Sequence, residues 1–213
     1  MREDSAIVNA VPEKARDAVG EANVYSILEV AYLLASIDGV IRDEEIGEFR
    51  ATAKMLLGDR FVSEEAIAFF ARMQSLSNTV VGLLKFYASD DAALKVFEIY
   101  SRTAVESISR AAVGVVRRAF AFWVGMCCSD NEYAPIERKA IDALRNSVGS
   151  MNRAVSSALS DKFFEELERR VLEVNEFEKK VLDASGVGVK EKESELLKQM
   201  QSFGRFLDTF PES

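Results

Sequence analysis

Two short acidic stretches of this sequence place carboxylates at a matching spacing that could support chemistry. The first reads SIDGVIRDEE (residues 36–45) and the second reads CSDNEYAPIE (residues 128–137). In each stretch an Asp ends an apolar helical segment, and a Glu follows seven residues later. The chain contains no histidine, which excludes Ser-His and Cys-His nucleophiles and most zinc sites. What remains is carboxylate chemistry, which means binding of hard cations or metal-assisted hydrolysis.

The Glu of each stretch has a structural explanation. Glu45 and Glu137 fall at the third position of a predicted helix, where a carboxylate accepts the free backbone amide of the N-cap residue. The N-cap residues themselves, Arg42 and Ala134, have no side-chain acceptor with which to return the bond. We therefore expect half of a capping box at each helix, without the full stabilisation of about 1 kcal/mol that a good cap gives.

The Asp of each stretch lies at the unfavourable end of a helix dipole, and two explanations for this remain open. The carboxylate accepts amide hydrogens of the following loop in an Asx turn, or it binds a hard cation together with the Glu and loop carbonyls. The second explanation predicts a site for Ca²⁺, Mg²⁺ or Mn²⁺ rather than for zinc or copper. The candidate metal ligands are Asp38, Glu45, Asp130, Glu132 and Glu137.

Apolar residues recur at helical spacing along nearly the whole chain, and no stretch alternates apolar and polar residues as a strand does. Helices must therefore position the two turns. We expect an all-α fold in which residues 1–159 form a compact multi-helix bundle with pseudo-twofold halves, so that the two acid turns lie near one another. The pattern predicts a helix that ends before Asn78 and another that ends at Gly149. Trp123 is expected in the core.

The tail, residues 160–213, differs from the rest because it reads as two long, charged and amphipathic helices. The apolar face of each of these helices must be buried against another protein surface. We favour a C-terminal helical hairpin packed on the main domain, because short connections make antiparallel neighbours. A dimer interface or a partner groove is the alternative.

With the two segments ASIDGVIRDEE and CSDNEYAPIERKAI, residues 22–149 resemble the TerB-like superfamily, the fold of a tellurite-resistance protein that also occurs in the N-terminal region of a membrane-attached co-chaperone. The resemblance implies a compact helical domain linked to bacterial stress responses, to metal sensing and to a location near the membrane. It carries the family's acidic positions to Asp38, Glu45, Asp130 and Glu137. The second turn departs from the pattern with DNE in place of DGE. The first departs with Arg42 in place of the usual Ser or Thr cap, which weakens the cation interpretation of that turn.

Charge and cysteine usage limit the partners and the compartment. A net charge of -8 disfavours nucleic acid as a partner. The most apolar segment, AAVGVVRRAFAFWVGMCC, contains two arginines, so we expect no transmembrane segment, although peripheral membrane association is compatible with the resemblance. Cys127 and Cys128 are adjacent and would point about 100° apart on a helix, which predicts small buried hydrophobes in a reducing, cytoplasmic compartment.

Three functions from different classes follow from these features. The favoured one is a non-enzymatic binding or adaptor module with a protein partner or a second copy as a homodimer. The second is a Mg²⁺-dependent all-helical nucleotide pyrophosphatase, because EEIGE (Glu44, Glu45 and Glu48) resembles the first half of that family's Glu-Glu-x-x-Glu pattern, although the downstream half is missing. The third is a structural, oligomerising helical protein whose acids only cap helices.

Overall fold

A computed structural model describes residues 21–86, 89–128, 133–182 and 189–211. The predicted all-α class is confirmed, because 88% of the described residues are helical and none lies in a strand. The α-helices of these segments are α1 (Glu21–Leu34), α2 (Asp43–Leu57), α3 (Glu64–Phe86), α4 (Asp90–Ser109), α5 (Val113–Cys127), α6 (Pro135–Met151), α7 (Arg153–Ala158), α8 (Asp161–Leu182) and α9 (Val189–Thr209). A 3-10 helix, Gly58–Val62, joins α2 to α3.

The centre of the bundle is formed by α1 and α5, the two helices with the highest apolar content. Both supply residues that are fully buried, and they pack on each other and on α2 and α4. Trp123 on α5 is 0% exposed and donates its indole N–H to the backbone carbonyl of Ile27 on α1, at 3.0 Å. The expectation that Trp123 lies in the core is therefore confirmed, and its hydrogen bond fixes α5 against α1.

The helices follow the same order twice along the chain. Helix α1, an acid turn, α2, a short 3-10 helix and the long α3 are followed by α5, an acid turn, α6, the short α7 and the long α8. Both long helices follow a serine that caps them. Ser63 Oγ accepts the Ala66 amide at 3.2 Å, and Ser160 Oγ accepts the Phe163 amide at 3.4 Å. Helix α4 packs against both α1 and α6 and so connects the two copies.

Two predicted helix boundaries were wrong. Asn78 lies inside α3, which runs unbroken because Ser77, Val80 and Leu84 continue its buried face. Gly149 lies inside α6 rather than at its end. A Cβ atom at Gly149 would come within 3.3 Å of Ser156 on α7, so the glycine permits a close approach of that helix.

The two C-terminal helices pack against each other and against α5. Phe163, Leu167, Phe206 and Leu207 belong to the same hydrophobic core as α1 and α5. The rings of Phe163 and Phe206 stack with centroids 5.4 Å apart and an interplanar angle of 8°. None of the described helices is long and apolar enough to cross a membrane.

Candidate functional site: the two acid turns

The first acid turn is closed by hydrogen bonds of its own residues. Gly39 adopts a positive φ of 81°, which a glycine tolerates without strain. The Val40 amide then donates to Asp38 Oδ1 at 2.9 Å, which is the Asx turn that offsets the unfavourable position of the Asp. The turn is also held to α3, because Ser36 Oγ lies 3.0 Å from Ser77 Oγ in the buried interior. The structure thus provides one of the two explanations for Asp38 that the sequence left open.

A guanidinium group lies between the two carboxylates of this turn. Arg42 Nη2 is 2.9 Å from Asp38 Oδ2, and Arg42 Nη1 is 3.8 Å from Glu45 Oε1. The arginine therefore supplies a positive charge where a divalent cation bound by Asp38 and Glu45 would have to lie. Two cations cannot share this position favourably, so the first turn as observed does not fit a metal ion.

Both turns start the following helix in the same way. Glu45 Oε2 accepts the Arg42 amide at 2.7 Å, and Glu137 Oε2 accepts the Ala134 amide at 2.8 Å. Glu45 is 3% exposed and Glu137 is 6% exposed. Neither N-cap side chain returns a hydrogen bond, so the predicted half capping boxes are confirmed at both positions. The two carboxylates are therefore engaged in holding the amino ends of α2 and α6.

The two turns act on one thiol at the carboxyl end of α5. The pKa of Cys127 is raised well above its usual value, first by burial, next by the carboxylate of Glu137, then by Cys128 and by Glu45. A raised pKa keeps the thiol protonated and unreactive at neutral pH. Helix α5 packs against both α2 and α6, so carboxylates from both turns act on this thiol.

The second turn is described only at its two sides. Asp130 and Glu132, two of the predicted metal ligands, lie outside the described residues. On one side, Cys128 accepts the side-chain amide of Asn175 on α8 at its carbonyl, 3.0 Å away. On the other, the Arg138 guanidinium stacks over the Tyr133 ring at 4.2 Å and pairs with Glu168 on α8 at 2.7 Å.

The hydroxyl of Tyr133 is buried and has no hydrogen-bond partner in the described part of the chain. The pKa of this phenol is raised far above its usual value, mainly by burial and next by Cys127. Tyr133 therefore stays neutral and serves as an apolar ring beneath Arg138.

The predicted metal ligands do not form a cluster among the residues that the structure describes. Within residues 21–86, 89–128, 133–182 and 189–211, no group of three carboxylate or thiol side chains is placed to hold a metal ion. Of the Glu-Glu-x-x-Glu motif, the structure describes two side chains: Glu45 is buried against the Arg42 amide, and Glu48 is half-buried. The carboxylates with the best spacing for chemistry thus serve as structural groups where they are described.

Sequence reasoning missed two arginines that carry strong local interactions. Arg117 on α5 is 3% exposed, and two of its guanidinium nitrogens lie 3.4 Å from the carbonyl of Ala158. Arg145 on α6 pairs with Asp161 at 2.7 Å and stacks over Phe164 at 4.9 Å. An adjacent polar cleft of about 340 Å³ is lined by Arg145, Asn146, Gly149, Ser150, Ser156, Leu159 and Asp161. Each arginine stands in an apolar or amphipathic helical segment, and an aromatic-rich helical segment follows further along the chain. That combination was the available sequence signal for both arginines.

The fold and the turns together define a class of protein, which is an all-α bundle with a duplicated helix–acid turn–helix unit. No family model matches the chain, and neither the curated proteins nor the solved structures contain a match to it. The TerB-like resemblance therefore remains a prediction from the two sequence motifs.

Proposed function

We propose that this chain is a non-enzymatic, TerB-like binding or adaptor module. The observation that supports the proposal is the identical use of Glu45 and Glu137, each buried and each closing the start of a helix. Glu45 and Glu137 each hold a corner of the bundle, which supports a function carried by the surfaces of the module. The resemblance adds a link to stress response and peripheral membrane association to this proposal.

Enzymatic activity is the alternative that a direct assay decides. A panel of nucleoside triphosphates is incubated with the full chain and Mg²⁺, and we expect no turnover because Glu45 is buried and committed to the Arg42 amide. Robust hydrolysis that is lost in Glu44→Gln and in Glu48→Gln would overturn the module proposal in favour of a pyrophosphatase. An Arg50→Gln variant, on the exposed face of α2, serves as the matched control.

Hard-cation binding stays part of the proposal at the second turn only. There the N-cap residue is Ala134, whose side chain carries no charge to compete with an ion held by Asp130, Glu132 and Glu137. Thermal melts with Ca²⁺, Mg²⁺ and Mn²⁺ test this, because a ligand at a hundredfold excess over Kd stabilises the folded state by about 2.7 kcal/mol.

The variants separate the two turns. We expect the ion-dependent rise in melting temperature to disappear in Glu137→Gln and to persist in Glu45→Gln, because Arg42 already occupies the first turn. An unmoved melting temperature in all three ions would show that both turns are caps only. That result would remove the cation from the proposal and leave the adaptor function to be tested by its partners.

A further inference from the structure

Helix α9 lies in an apolar groove whose walls are α5 and α8. Phe206 and Leu207 are its most buried side chains near the carboxyl end, and Leu196 is buried closer to the amino end. Phe206 stacks on Phe163 of α8, and Phe210 contacts the edge of the same ring with centroids 5.5 Å apart. The buried positions of α9 lie on one face of the helix, as they do on an amphipathic helix that rests in a groove.

Arginines line this groove and meet complementary groups on α9. Arg118 of α5 pairs with Asp208. Arg170 of α8 lies over the Phe206 ring at 4.8 Å and donates to Ser202 Oγ at 3.3 Å. A helix seated here is therefore recognised by aromatic anchors and by one acidic side chain, so that both shape and charge select it.

Helix α9 also contributes less to the core than the helices beneath it. Three of its described side chains are buried, whereas α5 contributes ten. Removing α9 therefore gives up the burial of only this short row of side chains. Because packing supplies most of the stability of a helix, α9 frays and exposes its amides once it leaves the groove. Such peripheral elements open separately from the rest of a domain.

We propose that the α5–α8 groove is a docking groove for an amphipathic helix, that α9 fills it within the chain, and that a partner helix displaces α9. The partner carries aromatic or large aliphatic residues at the spacing of Phe203, Phe206, Leu207 and Phe210, and an acid at the position of Asp208. The helix-in-groove mode is a common way for adaptor proteins to bind their targets. This inference names a partner class for the proposed module and rests on that function.

The first test adds the α9 helix in trans. A fluorescently labelled peptide of residues 189–211 is titrated into the full chain and into a Phe206→Ala/Leu207→Ala full-chain variant, in which the intramolecular helix is weakened. Fluorescence anisotropy is expected to show at least tenfold tighter binding to the variant than to the wild type. A peptide with Phe206→Ala and Asp208→Asn is the matched control and is expected to lose that binding.

A charge swap identifies the groove as the place of binding. With Arg118→Asp added to the weakened variant, the wild-type peptide should bind at least tenfold more weakly, and an Asp208→Arg peptide should regain part of the loss. Equal binding to the wild type and to the weakened variant, or no effect of the Arg118 swap, would overturn the proposal. Light scattering then shows whether α9 exchanges between copies, because a dimer formed by such exchange would make a second copy the occupant and overturn the proposal of a separate partner helix.

The wild-type chain gives an independent measurement that needs no variant. Amide hydrogen exchange should be at least tenfold faster in α9 than in α5, because α9 leaves the groove without global unfolding. If the amides of both helices exchange at the same rate, in a single global event, α9 is a fixed part of the core and the proposal fails. Neither result bears on the hydrolysis assay or on the melts with cations, so failure of this inference is distinguishable from failure of the proposed function.

Discussion

At the scale of single residues, carboxylates in unfavourable positions are stabilised by hydrogen bonds and ion pairs with groups of the same turn. Asp38, at the negative end of α1, accepts the Val40 amide and pairs with the Arg42 guanidinium. Glu45 and Glu137 offset their burial by accepting an N-cap amide and by lying at the positive end of a helix. The weak point of both helix starts is the N-cap side chain, which accepts no hydrogen bond at either turn.

The cap of α6 can therefore be improved. Ala134 has extended backbone angles (φ −59°, ψ 145°), which suit a serine N-cap. We expect Ala134→Ser to stabilise the chain by about 1 kcal/mol, because the serine oxygen accepts an amide of the first turn. A chain of this size should then melt about 2–4 °C higher in a thermal scan followed by circular dichroism. Ala134→Val, which adds volume and no acceptor, is the control, and an equal gain from it would contradict the capping explanation.

The indole of Trp123 provides a second prediction at this scale. Trp123→Phe removes the hydrogen bond to the Ile27 carbonyl and leaves a small cavity, so a loss of about 1–3 kcal/mol is expected in urea unfolding. Phe122→Leu, at the neighbouring half-buried position, is the matched control and should cost less. A smaller loss for Trp123→Phe than for the control would mean that the indole bond contributes little.

At the scale of the element, α8 combines a buried aromatic face with a charged outer face. Phe163, Leu167 and Val171 point into the core. On the outer face Glu166 pairs with Arg169 at 2.6 Å and with Arg170 at 2.5 Å. These pairs lie within one helical turn, so they support the helix itself as well as its contact with α9.

The ion pairs of α8 predict a specific acid sensitivity. The hydrogen bond from Arg169, followed by that from Arg170, lowers the pKa of Glu166 from its usual value to about 2. The stabilisation from these pairs is complete above the ordinary carboxylate pKa, and it is lost as the pH falls toward 2. We expect Glu166→Gln to lower stability at pH 7 by a small amount, because the pairs are partly solvated, and to lose most of this effect as the pH falls through 2. A difference that stays constant between pH 7 and pH 2, in urea titrations of both proteins, would contradict this account.

At the scale of the whole molecule, the repeated order of elements continues past residue 160, because α8 follows α7 as α3 follows the 3-10 helix. Phe163 and Leu167 of α8 are 0% exposed and share the core with α5. The chain beyond residue 160 therefore supplies part of the core of the second copy, while α9 closes one groove on its surface.

Two truncations test this difference between the C-terminal helices. A chain that ends at Leu159 exposes the α5 face and should lose its near-ultraviolet circular dichroism and its cooperative melt. A chain that ends at Leu182 retains α8 and should keep both signals, at lower stability. If the shorter chain melts as cooperatively as the longer one, α8 is dispensable for the core, and residues 1–159 form a domain by themselves as the sequence suggested.

Local patterns in the sequence were enough to predict the helical class, the half capping boxes and the burial of Trp123, because each depends on neighbours a few residues away. Other features depend on partners distant in sequence. The continuity of α3 through Asn78 rests on packing that includes the contact of Ser77 with Ser36. The role of Arg42 depends on where a long side chain turns, toward Asp38 and Glu45, which spacing alone does not determine.

The two adjacent thiols have a practical consequence. Cys127 is 3% exposed and Cys128 is 0% exposed, so a thiol reagent reaches either sulfur only when the carboxyl end of α5 opens. The rate at which a colorimetric disulfide reagent modifies these thiols, forming a mixed disulfide and releasing a coloured thiolate, then measures the rate of that opening without any engineered label. A ligand that stabilises the neighbouring turns should lower the rate of thiol modification, so this rate provides a simple screen for ligands of the protein.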